Sequence, residues 1–89
     1  MYNIEFSSQS LSNIDDIRNY ISNDNIIIAN KVIDSILNTI QYLSLFPKLW
    51  ENKNWRFREI VEPVYKYKIR YKIINNIVYI ITIYKFKNK

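Results

Sequence analysis

The residues best able to do chemistry lie in one short stretch, VYKYKIRYKI at 64–73. Lys66, Lys68, Arg70 and Lys72 alternate there with Tyr65, Tyr67, Ile69, Tyr71 and Ile73. Successive side chains of a β-strand point to opposite faces, so the pattern reads as a strand with one cationic and one aromatic–aliphatic face. Four like charges in a row repel one another. Such a row serves either solubility or a polyanionic partner, since arginine grips phosphate and carboxylate oxygens bidentately and lysine holds them as a point charge. Arg56 and Arg58 precede the row, and Lys85 and Lys87 follow it. Other chemistries are closed off. The chain has no cysteine, hence no disulfide or thiolate metal site, and no histidine, the commonest metal ligand and general base. No metal site and no cofactor is expected.

The elements that position these cations can be read along the 89 residues, a length that fits one small domain, residues 1–89. Charge is uneven: residues 1–50 carry a net −2 and residues 51–89 a net +7. Glycine is absent, so positions with positive φ fall to Asn or Asp. The N-terminus MYNIEFSSQS lacks the basic start and apolar run of a signal peptide, and no apolar run approaches the roughly 18 residues of a membrane helix. A cytoplasmic location without membrane contact is expected.

YNIEF at 2–6 alternates and predicts a short strand. Ser7 or Ser8 can cap a helix whose apolar stripe is Leu11, Ile14, Ile17 and Ile21, ending near Ser22–Asn23. Asp24 or Asn25 can cap a second helix with the stripe Ala29, Ile33, Ile36, Ile40 and Leu43, ending at Phe46-Pro47. A short connection predicts an antiparallel helical hairpin. KLWENKN at 48–54 reads as a polar connector. WRFREIVE at 55–62 alternates, with Arg56, Arg58 and Ile60 on one face and Trp55, Phe57 and Val61 on the other. Pro63 breaks it. Asn75-Asn76 suits a two-residue hairpin turn, and IVYIITIYKFK at 77–87 is apolar on both faces at its start, which places it centrally in the sheet.

The predicted order is β-α-α-β-β-β, an α+β domain with a helical hairpin packed on one face of an antiparallel-rich four-stranded sheet. The open face is expected to carry Arg56, Arg58, Lys66, Lys68, Arg70 and Lys72. Lys66 and Lys72 read as protective edge charge, whereas Arg58 and Arg70 read as functional. Glu59 and Glu62 read as surface partners of the patch. Trp50 and Trp55 read as core plugs of the connector. Ile26, Ile27 and Ile28 cannot all face one core, because helix neighbours point about 100° apart; one or two are expected to be exposed to a partner.

The ordered set of segments resembles the RelE/ParE superfamily, toxins of bacterial type II toxin–antitoxin systems. IEFSSQSLSNIDDIRNYI at 4–21 is similar to the family's opening strand, capping Ser and first helix. ANKVIDSILNTIQYLSLFP at 29–47 is similar to its second helix. FREIV at 57–61, YKIRYKI at 67–73 and VYIITIY at 78–84 resemble its three closing strands. The long helical hairpin looks closer to the ParE branch than to the RelE branch. The chain departs from the family in its missing glycines, in Lys68 where arginine is common, and in lacking a histidine near Lys85 and Phe86.

The resemblance implies a growth-inhibiting toxin held inactive by a cognate antitoxin. ParE-like members inhibit DNA gyrase; RelE-like members enter the ribosome and cut mRNA as metal-independent endoribonucleases. A plain basic nucleic-acid-binding domain is the third reading. Cleavage by the 2′-OH route needs a base, an acid and cations around the phosphorane. Arg56, Arg58, Lys68 and Arg70 are the candidates for phosphate or target contacts, and Lys85 or Lys87 for proton transfer. Ile26, Ile27, Ile28, Arg58 and Arg70 are the candidates for antitoxin contact. Tyr79 or Tyr84 reaches a ligand only if its face is the open one.

Overall fold

The computed structural model describes residues 1–48, 52–54 and 57–85. In chain order it contains β1 (Asn3–Phe6), α1 (Ser8–Ser22), α2 (Ile26–Tyr42), β2 (Asn52–Asn54), β3 (Phe57–Val61), β4 (Lys68–Ile74) and β5 (Ile77–Tyr84). The sheet order is β1-β5-β4-β3-β2. β1 runs parallel to β5 and every other pair is antiparallel. The helical pair packs on one face, and β5 lies inside the sheet as its two-sided apolar run requires. The short β2 is an addition to the four expected strands: three polar residues of the connector pair with the start of β3 at the sheet edge.

Local chemistry fixes how the helices sit. The Ser7 hydroxyl accepts the Ser10 N–H at 2.9 Å, capping α1, and donates to the Ile81 carbonyl at 2.7 Å. Asn13 Oδ1 accepts from the Thr82 hydroxyl at 2.9 Å and the Ile83 N–H at 3.0 Å. β1 stops pairing with β5 at Ile80, so beyond that point these two side chains stand where a strand partner would. Close approach of α1 to β5 puts Ser10, wholly buried, in the inward position of the first turn and leaves Leu11 51% exposed. The inward stripe is therefore Ser10, Ile14, Ile17 and Ile21, one residue displaced from the expected start. In α2, Asn25 caps the Ile27 and Ile28 N–H groups, and Ala29, Ile33, Ile36, Ile40 and Leu43 are all buried, as their spacing predicts. The helix ends at Tyr42, before the Phe46-Pro47 step, in a turn at 43–45.

The sheet departs from simple alternation twice. Arg70 pairs with Thr82 but Tyr71 pairs with Ile80, so Ile81 is the extra residue of a β-bulge. The bulge shifts the phase of β5 by one and lets Val78, Ile80 and Ile83 all face the core. The second departure is at the entry to β4, which starts at Lys68 and not at Val64. Residues 63–65 form a turn and Lys66 adopts φ 68°. Glu62 organises this turn. It is wholly buried, and its carboxylate accepts from the Ser35 hydroxyl at 2.6 Å and the Val64 and Tyr65 N–H groups at 2.7 and 2.8 Å. The expected surface role for Glu62 is thus corrected: it anchors the turn to α2.

Lys66 is exposed and sits in the left-handed region, which costs an L-residue with a Cβ roughly 1–2 kcal/mol. Lys66→Gly is expected to raise stability by about 1 kcal/mol, a shift of roughly 4–8 °C in the midpoint of a thermal melt. Asn75→Gly, at φ 55° in the hairpin turn, should gain less because Asn tolerates that region. Equal melts for wild type and Lys66→Gly would show that the backbone there is not strained.

Candidate functional site

The register between β3 and β4 decides which cations meet. Arg58 lies opposite Tyr71, and Ile60 opposite Ile69. Directly opposed residues share a face, so Arg58 is on the helix-packed side with buried Ile60, Ile69 and Tyr71. Glu59 lies opposite Arg70, on the open side. The single expected row is therefore split. Lys68, Arg70 and Lys72 share the open face; Arg58 is on the other face; Lys66 is in the turn before β4; Arg56 lies outside the described residues. Burial of Ile60 sets the phase of β3, and Arg58 is two residues away from it on the same side. Tyr71 donates to the Pro47 carbonyl at 2.6 Å. Burial pushes its phenol up to about 12, against the pull of the Arg58 charge in the other direction.

On the open face Arg70 is held from three sides. Its guanidinium carbon lies 4.7 Å from the Phe57 ring centroid and 4.9 Å from that of Tyr84. Its Nε approaches Glu59 Oε2 at 3.4 Å, and the Tyr84 hydroxyl donates to that same oxygen at 2.7 Å. Tyr84 on β5 thus reaches across β4 to Glu59 on β3. The Glu59 side chain is 9% exposed and that of Arg70 40%, so the charge presented to solvent is positive. Burial, reinforced by the Glu59 carboxylate, raises the Tyr84 phenol above its usual range. Two residues on, the Lys72 ammonium lies 5.6 Å from the Tyr79 ring centroid. Tyr79 and Tyr84 are on the open face, but each carries a cation on its ring. Phe57 is the functional-site residue that sequence reasoning missed, and Glu59, read as a surface partner of the patch, does pair with Arg70 but from a largely buried position. Their signal was present in the alternation of FREIV, which puts them opposite Arg58 and Ile60.

The remaining candidates are elsewhere. The Lys85 ammonium lies 5.4 Å from the Tyr67 ring centroid, and Tyr67 packs against the core on the helix side. Burial, Glu62 and Tyr20 together raise the Tyr67 phenol. Lys85 is thus not gathered with Lys68 and Arg70. Lys87, Trp50 and Trp55 lie outside the described residues. Ile26, Ile27 and Ile28 are all exposed, the first two at 65% and 64%, where one or two exposed side chains were expected. Ala29 is the first residue of α2 to reach the core. Among the described residues no helix is long and apolar enough to cross a membrane.

This geometry can be set beside known proteins. A family model described as the ParE toxin of type II toxin–antitoxin system, parDE, matches residues 4–87. Among solved structures, a chain of the chromosomal ParDE toxin–antitoxin system from P. aeruginosa superposes with a TM-score of 0.85 at 12% identity, covering 98% of each chain. A chain of the intact E. coli RelBE toxin–antitoxin complex gives a TM-score of 0.74 at 13% identity, covering 99% of this chain and 100% of that one. At these identities the structural likeness establishes the fold. No curated protein matches the sequence.

Proposed function

The chain belongs to the ParE toxin family of type II toxin–antitoxin systems, and from that premise we propose that it acts by a protein–protein contact that inhibits DNA gyrase in the cytoplasm and is silenced by a cognate antitoxin. One observation carries this reading over ribosome-dependent mRNA cleavage. The open face has cations but, among the described residues, no group poised to move a proton. Glu59 is engaged by Arg70 and Tyr84, the Tyr84 phenol is held protonated at neutral pH, and Lys85 lies on the helix side against Tyr67. General acid–base catalysis needs its groups within about 3 Å of the reacting atoms, beside the cations that hold the phosphate. Among the described residues the cationic face lacks that pair, which supports its reading as a binding surface.

The test is induced expression in a susceptible bacterium. Growth arrest with an SOS response and intact mRNA is the expected result. Codon-specific mRNA cleavage without SOS induction would overturn the proposal in favour of the ribonuclease. Absence of any growth effect would leave a non-toxic basic binding domain.

A further inference from the structure

We propose that Arg70 is the centre of a preorganised carboxylate receptor on the open sheet face, and that its occupant is an acidic, extended segment of a protein partner. The inference rests on the protein–protein reading above and specifies the chemistry of the contact. Three features lead to it.

First, the guanidinium is immobilised. Phe57 and Tyr84 lie within 5 Å of it, and Glu59 engages Nε. Glu59 and the Tyr84 hydroxyl both engage the guanidinium, yet the Arg70 side chain is still 40% exposed, so its planar fork can meet a carboxylate. A side chain already fixed loses little rotamer entropy on binding. Second, Lys68 and Lys72 stand two residues before and after Arg70 on the same strand face, so the positive charges repeat at about 6.6 Å. An extended peptide with carboxylates at every second residue repeats at the same interval. Third, the aromatic rings are not stacking platforms. Tyr84 and Phe57 carry Arg70, and Tyr79 carries Lys72, whereas single-stranded nucleic acid binds by stacking its bases on open rings.

The decisive variants make charge and preorganisation point in opposite directions. Glu59→Ala removes a negative charge from the face, so a purely electrostatic surface would bind an anion more tightly. It also removes the carboxylate that fixes Arg70, so a receptor would bind more weakly. Tyr84→Phe keeps the ring and removes only the hydroxyl tether, and it guards against a Glu59 variant that folds poorly. The probe is a fluorescent capped peptide, Glu-Ser-Glu-Ser-Glu, titrated with the full-length protein by anisotropy at two salt concentrations. The competitor is a single-stranded oligoribonucleotide of equal charge.

Arg70→Lys is expected to weaken peptide binding about tenfold, the loss of one charge-assisted bidentate contact. Glu59→Ala and Tyr84→Phe should each weaken it several-fold. Unchanged affinity in Arg70→Lys, or tighter binding in Glu59→Ala, would overturn the receptor. Preferential binding of the oligoribonucleotide would overturn the choice of a protein partner. The titration reads the face itself, without gyrase or cells. A failed peptide titration with intact SOS induction therefore removes the receptor alone, and the reverse pattern removes the gyrase reading alone.

Discussion

Glu62→Ala is expected to lower stability by about 3–5 kcal/mol, the cost of breaking a buried, hydrogen-bonded charge network. Four donors reach this carboxylate: the Ser35 hydroxyl and the Val64 and Tyr65 N–H groups, all within 2.8 Å, and the Tyr67 N–H at 3.5 Å. Removing it leaves them without their partner in a part-buried site, and each donor left unsatisfied costs roughly 1–3 kcal/mol. Small domains have only about 5–15 kcal/mol in total, so the variant should sit near its unfolding transition. A urea titration followed by far-UV circular dichroism measures it. A midpoint unchanged from wild type would mean that the turn at 62–67 is held by other contacts.

The same carboxylate predicts an acid limb. Burial alone would raise its pKa, but Ser35 and the Val64, Tyr65 and Tyr67 N–H groups outweigh burial and hold the carboxyl below the ordinary 4.5. The native state therefore binds fewer protons than the unfolded chain near that pH. Its contribution is complete above the unfolded value and is lost as pH falls through the lower, native one. Wild type should lose stability below about pH 4.5 more steeply than Glu62→Gln, which cannot titrate. The turn leads directly into Lys68 and Arg70, so loosening it also loosens the cationic strand.

The periodic parts of this fold were open to reading. Apolar residues three and four apart gave both helices, and the buried stripe of α2 follows the sequence from Ala29 to Leu43. The less legible features were those set by a single tertiary contact. Leu11 and Ser10 exchange roles because the Ser7 hydroxyl pins α1 to β5, 74 residues away. Alternation alone extends β4 back to Val64, whereas Glu62 folds that stretch into a turn by accepting hydrogen bonds from its own backbone. The bulge at Ile81 leaves no local mark in IVYIITIY, where either phase is apolar. The open-face cluster was half legible. The alternation paired Arg58 with Ile60, and burial of Ile60 separates Arg58 from Arg70; reading Arg58 as open-face weighed its charge over its phase. That Phe57, Glu59 and Tyr84 converge on Arg70 depends on register across three strands, which no single segment encodes.

Tyr71→Phe should reveal what holds the end of the helical hairpin against the sheet. Tyr71 is wholly buried in the middle of β4, and its hydroxyl donates to the Pro47 carbonyl at 2.6 Å. Losing the hydroxyl leaves that carbonyl without its partner, a cost of about 1–3 kcal/mol near neutral pH. A second effect appears in alkali. The native phenol titrates at about 12, against 10.0 for an ordinary tyrosine. Between these values the unfolded chain loses its proton first, so the stability from this group is complete below pH 10 and falls as pH rises through the native value. The full loss is about 2–3 kcal/mol, two pKa units at roughly 1.4 kcal/mol each. Wild type should therefore destabilise in alkali more steeply than Tyr71→Phe, and the two urea midpoints should converge as pH approaches 12. Parallel curves would mean that Tyr71 ionises alike in both states. Arg58 supplies the internal control. Its charge pulls the phenol down, so Arg58→Ala should move the Tyr71 titration still higher. Arg58→Ala should leave peptide binding at Arg70 unchanged, because the two arginines occupy opposite faces of one sheet.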